Sequence, residues 1–371
     1  MKHFLLVPDS FKGTLTAEEI CEIESAVIRR HIPNAVIRSF PMSDGGEGMT
    51  ASYLRIVGGQ EVRVTVSGPF GDPVEAVYGL LPDGSAVMEM AAAAGLPLTG
   101  GRLDPLHATT YGVGEMIRDA VRRGVSKILL GLGGSATNDC GIGMAAALGY
   151  RFQDQAGEPL EPLAGNLGRI ASIRTVDSLP SLEIRAACDV DNPLLGPDGA
   201  TYTFGPQKGV RGELCAYFEA GMAHYAQILS AYSGVPVFDI PGGGAAGGLG
   251  ATVQSLFKGE LSSGIDLLLD AAGFDTLLKD TDIVFTGEGC VDWQSAHGKV
   301  LAGVGLRCRK VGVPCIALCG SAGQGAESLY ECGITAVFSA VNRSAKFEEL
   351  SKTSREDLTF LTDAVLRVLV R

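Results

Sequence analysis

The chain has 371 residues, of which 51 are glycine, about twice the usual share, while 17 are proline and 46% are apolar. The glycines follow no three-residue period, so a collagen-like chain or an unfolded linker is excluded, and the length suits two or three folded domains. A formal charge of −12 argues against nucleic acid and acidic membrane surfaces as partners, so any anionic ligand must be held by local groups.

Nine scattered cysteines without a Cys-x-x-Cys pair indicate neither a disulfide framework nor a zinc site. The apolar run at the N-terminus is too short for a signal peptide, and the uncharged stretch 240–257 carries six glycines and a proline. A soluble, cytoplasmic protein is expected.

Phe4 to Val7 suits a buried strand. Thr16 and Glu19 form a Thr-x-x-Glu capping box ahead of an amphipathic helix to His31, and 35–40 reads as a second strand ending in Ser43-Asp44-Gly45-Gly46-Glu47-Gly48. From about residue 60 the pattern changes. Val62, Val64 and Val66 alternate with polar residues, and turns at 71–73 and 82–84 mark antiparallel hairpins running to Met90. A helix from Thr110 to Gly124, a strand at 127–132, a glycine-rich loop and a helix at 141–148 follow. A strand at 184–188 runs into Asp189, a long helix spans 213–232, and a further helix reaches Phe257. Strands at 283–286, 314–319 and 336–339 alternate with helices, the last at 355–370. This order predicts an α/β, two-lobed protein: a Rossmann-like parallel-sheet lobe from 1–60 plus 281–371, with a second α/β lobe, 61–280, inserted.

Ligands of α/β folds sit beyond the carboxyl ends of strands, and five loops there combine glycine with polar or acidic residues. Asp9-Ser10-Phe11-Lys12-Gly13 offers a lysine for a phosphate or carboxylate, though a turn before a helix would use the same residues. Asp44 and Glu47, among glycines 45, 46 and 48, are hard oxygen donors suited to Mg²⁺, with a solvated turn as the plainer reading. Gly133-Gly134-Ser135-Ala136-Thr137-Asn138-Asp139 follows a strand and precedes a helix, so its amides and hydroxyls can cradle an anion. Asp189-Val190-Asp191-Asn192 places two carboxylates on one face of an extended chain, as metal ligands or as ligand and general base, or else forms an Asx turn before Pro193. Thr286-Gly287-Glu288-Gly289 with Asp292, His297 and Lys299 forms a mixed acidic and basic set.

Gly242-Gly243-Gly244-Ala245-Ala246-Gly247 matches Gly-x-Gly-x-x-Gly, but no convincing strand precedes it. An anion-binding loop or close backbone packing fits better than a nicotinamide site. No Walker loop, protein-kinase set, His-Glu-x-x-His or Gly-x-Ser-x-Gly elbow occurs. Carboxylates, glycine-rich amides and a few lysines are the parts phosphoryl transfer asks for. A small-molecule phosphotransferase is therefore expected, with a hydroxy-acid dehydrogenase using NAD and a non-catalytic phosphometabolite-binding protein as the alternatives.

Six of these segments, in order, resemble the bacterial glycerate kinase family of glyoxylate, glucarate and galactarate catabolism: 8–13, 41–48, 133–139, 188–194, 241–248, and 286–289 with Asp292, Gly298 and Lys299. The resemblance implies ATP-dependent, Mg²⁺-assisted phosphorylation of D-glycerate, to 2-phosphoglycerate, in a cleft between two lobes. It implies catalytic roles for Asp189, Asp191 and Lys12. Metal would fall to Asp44, Glu47, Asp189 and Asp191. ATP, phosphate or substrate would be held by Ser10, Gly45, Gly46, Gly133, Gly134, Ser135, Thr137, Asn138, Asp139, Asn192, Gly243, Gly244, Gly287, Glu288, Asp292 and Lys299. The chain departs from the family pattern at Cys140, where glycine is expected, and at Ser295, where threonine is common; a left-handed backbone at Cys140 would cost on the order of 1 kcal/mol.

Overall fold

A computed structural model describes residues 2–42, 48–175, 182–296 and 300–370. The chain divides into two compact units, Met1–Gly45 with Leu268–Arg371, and Gly46–Leu267. The first opens with β1 (His3–Pro8), the helix Ala17–His31 and β2 (Val36–Ser39).

The chain then enters the second unit through the helix Met49–Val57, the meander β3 (Gln60–Ser67), β4 (Pro73–Leu80) and β5 (Ala86–Glu89), and the helix Tyr111–Arg122. β6 (Lys127–Gly131), the helix Ile142–Ala147, the hairpin of β7 (Tyr150–Gln153) and β8 (Ser172–Thr175), and β9 (Glu183–Ala187) come next. The helices Glu213–Ser233 and Ala245–Leu256 lead to β10 (Glu260–Ser262). Back in the first unit lie β11 (Ile283–Gly287), β12 (Cys290–Val291), the helix Val300–Val311, β13 (Cys315–Cys319), β14 (Ser321–Ala322), β15 (Ala336–Ser339) and the helix Phe347–Leu369.

The sheet of the first unit is parallel throughout, in the order β15-β13-β11-β1-β2, with Leu5 beside Val284 and Phe285 beside Ile316. Both faces of its central strands are buried, which is why β1, β11 and β13 read as unbroken apolar runs. On one face Phe4, Leu6, Phe285 and Leu318 pack with Ile20 and Val27 of the first helix and Leu358 and Leu366 of the last. Counted within the unit, the strand order is 2-1-3-4-5, so connections leave in opposite directions between β1 and β11; that switch point is where open α/β sheets take ligands.

The capping box forms as the sequence predicts: Glu19 N–H donates to Thr16 Oγ1 at 3.2 Å and Thr16 N–H to Glu19 Oε2 at 2.9 Å. Thr16→Ala is expected to cost about 1 kcal/mol, read by urea unfolding.

The second sheet runs β10-β9-β6-β5-β4-β3, with β3, β4 and β5 antiparallel and β5, β6, β9 and β10 parallel. The alternation at 62, 64 and 66 turns Val62 and Val66 into a core with Tyr78, Met88, Ile117 and Leu130. Three features differ from the expectation. The last helix starts at Phe347, eight residues before Arg355, with Glu348 and Glu349 favouring its N-terminus. The helix Met49–Val57 has no capping side chain of its own; Glu89, from the end of β5, accepts from Gly48 N at 2.9 Å and Thr50 N at 3.1 Å. The β7–β8 hairpin carries no turn signal strong enough to find it.

Candidate active site

In the second unit the carboxyl ends of β5, β6, β9 and β10 lie side by side. The loop after β6 contains the densest set of polar groups. Gly133 and Gly134 are exposed, and among the described residues the amides of Gly133, Gly134 and Ser135 donate to no backbone acceptor. Behind them Thr137 Oγ1 and both polar side-chain atoms of Asn138 are buried without a partner among the described residues. Buried polar groups in native folds are almost always satisfied, so this loop presents unused donors and acceptors to whatever binds it.

Two side chains hold the loop. Asp139, fully buried, accepts from Thr110 N and Oγ1 at 2.8 Å each, from Gly141 N at 3.0 Å and from Gly143 N at 3.3 Å. Burial pushes its carboxyl up while those four donors pull it down. Asp139 is thus spent on fixing the loop to the helix that follows. Lys208, at the end of the turn Pro206–Lys208, is also buried and donates from Nζ to Ser135 Oγ at 2.7 Å and Thr137 O at 2.8 Å. Burial lowers its ammonium to about 7, opposed by the charge of Asp139. Lys208 is absent from the sequence expectations because nothing in Gly205-Pro206-Gln207-Lys208-Gly209 separates it from a surface lysine.

Asp189 and Asp191 follow β9 and are exposed. The strand itself ends at Ala187, so both carboxylates lie in the loop beyond it. Asp189 Oδ1 accepts from Gly264 N at 2.9 Å, at the end of β10, whereas Asp191 makes no polar contact among the described residues. Asn192 is turned into the fold, its Nδ2 donating to Asp198 O at 2.7 Å and its own carbonyl accepting from Gly244 N at 3.0 Å.

The glycines at 242–250 are explained by packing. A Cβ on Gly244 would meet Pro193 O at 2.3 Å, one on Gly247 would meet Thr137 O at 2.1 Å, and one on Gly248 would meet Cys140 Sγ at 2.7 Å. The amides of Gly243 and Gly244 donate to Ile240 O and Asn192 O, so neither is available to a phosphate. No strand precedes Gly242, which removes the structural context of a dinucleotide fingerprint. Opposite Gly247, Cys140 has φ of 50°, the left-handed backbone that favours the family's glycine, at a cost of about 1 kcal/mol.

In the first unit the loops after β1 and β11 meet at the switch point. Phe11 and Leu15 close a tight turn, with Gly13 at φ of 80°, that leaves Lys12 exposed and without a hydrogen bond or ion pair among the described residues. Gly289 fits against this turn: a Cβ there would meet Lys12 N and Phe11 Cα at 3.2 Å. Gly287 is equally confined, since its Cβ would meet Leu318 O at 1.9 Å. Ser10 donates to Asp9 Oδ1, through N at 2.6 Å and Oγ at 3.4 Å. Glu288 is buried and accepts a short hydrogen bond from Ser295 Oγ, whose oxygen in turn receives Asp292 N at 3.2 Å. The hydroxyl at 295 therefore does the work that a threonine would do there.

Asp44, Gly45, Gly46, Glu47, His297 and Lys299 lie outside the described residues. Among the described residues no three His, Cys, Asp or Glu side chains gather into a metal site. Two exposed carboxylates at 189 and 191 nevertheless suit Mg²⁺, which usually takes one or two carboxylates and fills its remaining positions with phosphate oxygens and water.

A parallel-sheet α/β fold with strand-end loops that present uncommitted amides and exposed carboxylates is suited to a small anionic ligand. Its family follows from comparison: residues 4–370 match the model of the glycerate kinase family, and the chain belongs to that family. It is 43% identical over 354 residues to a glycerate kinase of Halalkalibacterium halodurans, covering 94% of this chain and 93% of that one. A glycerate 2-kinase of Escherichia coli is 38% identical over 359 residues, covering 95% and 94%. The crystal structure of a proposed glycerate kinase 2 from Salmonella typhimurium LT2 superposes with a TM-score of 0.85 at 37% identity, covering 99% of this chain and 98% of that one.

Proposed function

We propose that the protein transfers the γ-phosphoryl group of ATP to the 2-hydroxyl of D-glycerate, giving 2-phosphoglycerate and ADP, with Mg²⁺ as the required cation. The observation that carries this reading is the loop after β6, with three uncommitted amides over orphaned Thr137 and Asn138 side-chain atoms. Amides suit phosphate or carboxylate oxygens, and Asn138 can both donate to and accept from a hydroxy acid.

In this reading Asp191 takes the proton of the glycerate hydroxyl as its oxygen bonds to the γ-phosphorus and the bond to the ADP oxygen breaks. Asp189, oriented by the Gly264 amide, would ligate the metal, with Asp44 and Glu47 as further candidate ligands. Mg²⁺, when bound, neutralises phosphate charge as the leaving oxygen departs. Lys12 and Lys299 offset charge on the triphosphate or the glycerate carboxylate, and Ser10, Glu288 and Asp292 shape the switch-point side. No helix among the described residues is long and apolar enough to cross a membrane; the cytoplasm, which holds the ATP, is the proposed location.

The test couples ADP release to D-glycerate and follows the product by phosphorus NMR. ADP and a 2-phosphate ester should appear in equal amounts, only with Mg²⁺ present. A 3-phosphate product would overturn the regiochemistry. Absence of ADP release, or a fluorescence change on NADH binding, would favour the sensor or dehydrogenase reading.

A further inference from the structure

At the carboxyl edge of the first unit's sheet lies a cavity of about 320 Å³. It begins at the switch point, between Lys12 and Gly289, and extends across the ends of β13 and β15 to Val341. The first turns of the helix Phe347–Leu369 roof it with Phe347 and Leu350. Carbon dominates the lining, and the backbone beneath is already satisfied: Gly320 N donates to Glu288 O, Ser321 N to Gly289 O and Val341 N to Gly320 O. A small, strongly hydrated anion such as glycerate would lose hydration here and gain little. A flat, largely apolar ring would not.

Two exposed groups mark opposite roles at its rim. Phe347 is 62% exposed, with its ring near Gly13, which is unusual for an aromatic side chain roofing an apolar space. Lys12, the chain neighbour of Gly13, is an exposed cation in the same lining with no partner among the described residues. An aromatic face and a lysine lining one cavity suit a molecule with a π-system at one end and anionic oxygens at the other.

We infer that this cavity receives the nucleoside half of the nucleotide, with the base against Phe347 and the polyphosphate leaving past Lys12. This rests on ATP being the phosphoryl donor. It assigns Phe347 and Leu350 to nucleotide affinity.

Cys290, an exposed free thiol in the lining, provides a readout independent of turnover. Alkylation by iodoacetamide, resolved by site with mass spectrometry, should slow at least fivefold at Cys290 in the presence of adenosine or MgADP, while Cys215 in the other unit reacts at an unchanged rate. Phe347→Ala should raise KM for ATP about tenfold, the loss expected for one base-stacking contact, with kcat and KM for D-glycerate within twofold and with Phe347→Tyr restoring the wild-type value. Phe347 is mostly exposed, so its truncation should leave the thermal midpoint unchanged.

If the wild type transfers phosphate from ATP while neither adenosine nor MgADP protects Cys290 and Phe347→Ala leaves KM for ATP unaltered, the nucleoside site lies elsewhere and the kinase reading stands. Protection by D-glycerate but not by adenosine overturns the inference in the same way. If the wild type shows neither ATP turnover nor protection by MgADP, the donor assignment fails and this inference falls with it.

Discussion

Asp191→Asn is expected to lower kcat with ATP and D-glycerate by roughly 10²–10⁴-fold, the range for loss of a general base, with thermal stability unchanged. The stability half follows from its surroundings: Asp191 is exposed and makes no polar contact among the described residues, so the substitution breaks nothing in the fold. Asp189→Asn tests the other carboxylate separately. An amide oxygen can still accept from Gly264 N, so the loop keeps its place while the charge is lost. If Asp189 ligates the metal, its variant should recover part of its rate as Mg²⁺ is raised or replaced by Mn²⁺, whereas Asp191→Asn should stay slow at saturating metal. The opposite pattern would exchange the two roles. Near wild-type turnover in both variants would remove the pair from the mechanism.

Elements with a strong local signal were legible in the sequence. The capping box at Thr16 and Glu19, the alternation at 62–66 and the apolar runs of β1, β6, β11 and β13 each reflect a pattern set by a few neighbouring residues. The helix Met49–Val57 was not legible, because the side chain that satisfies its N-terminus, Glu89, comes from 40 residues further along the chain. The same distinction divides the site. Glycine-rich strand-end loops stand out in the sequence, yet glycine has two uses that look identical there. At 133 and 134 it leaves amides exposed, while at 244, 247 and 248 it lets one backbone press on another. Lys208 was missed for a related reason, since its burial depends on Ser135 and Thr137, some 70 residues earlier.

Lys208 also makes the protein's stability depend on pH in a direction that can be stated in advance. Its folded pKa, about 7, lies below the ordinary lysine value of 10.5, so between those two pH values the unfolded chain holds a proton that the folded chain has released. Stability contributed by this group therefore rises with pH across the window, by roughly 1.4 kcal/mol per pH unit, and levels off above it. Several buried thiols and Tyr225 work the other way above pH 8.5, because burial raises their values and the unfolded chain ionises first. Comparison with Lys208→Met isolates the lysine, since those groups are common to both proteins. Urea unfolding at pH 7.0, 8.0 and 9.0 should show the wild type gaining on the variant at each step. A constant difference would mean that Lys208 keeps its proton in the folded state, paired more strongly to Asp139 than its burial implies. Met fills much of the same space but donates nothing to Ser135 Oγ or Thr137 O, so the variant should also lose at least tenfold in kcat/KM. The amine donates whether neutral or charged, and this loss should therefore persist across the same pH range while the stability difference changes. A pH-independent catalytic defect beside a pH-dependent stability difference is the signature of a lysine that holds the loop after β6 through its hydrogen bonds, with its charge the part that burial opposes.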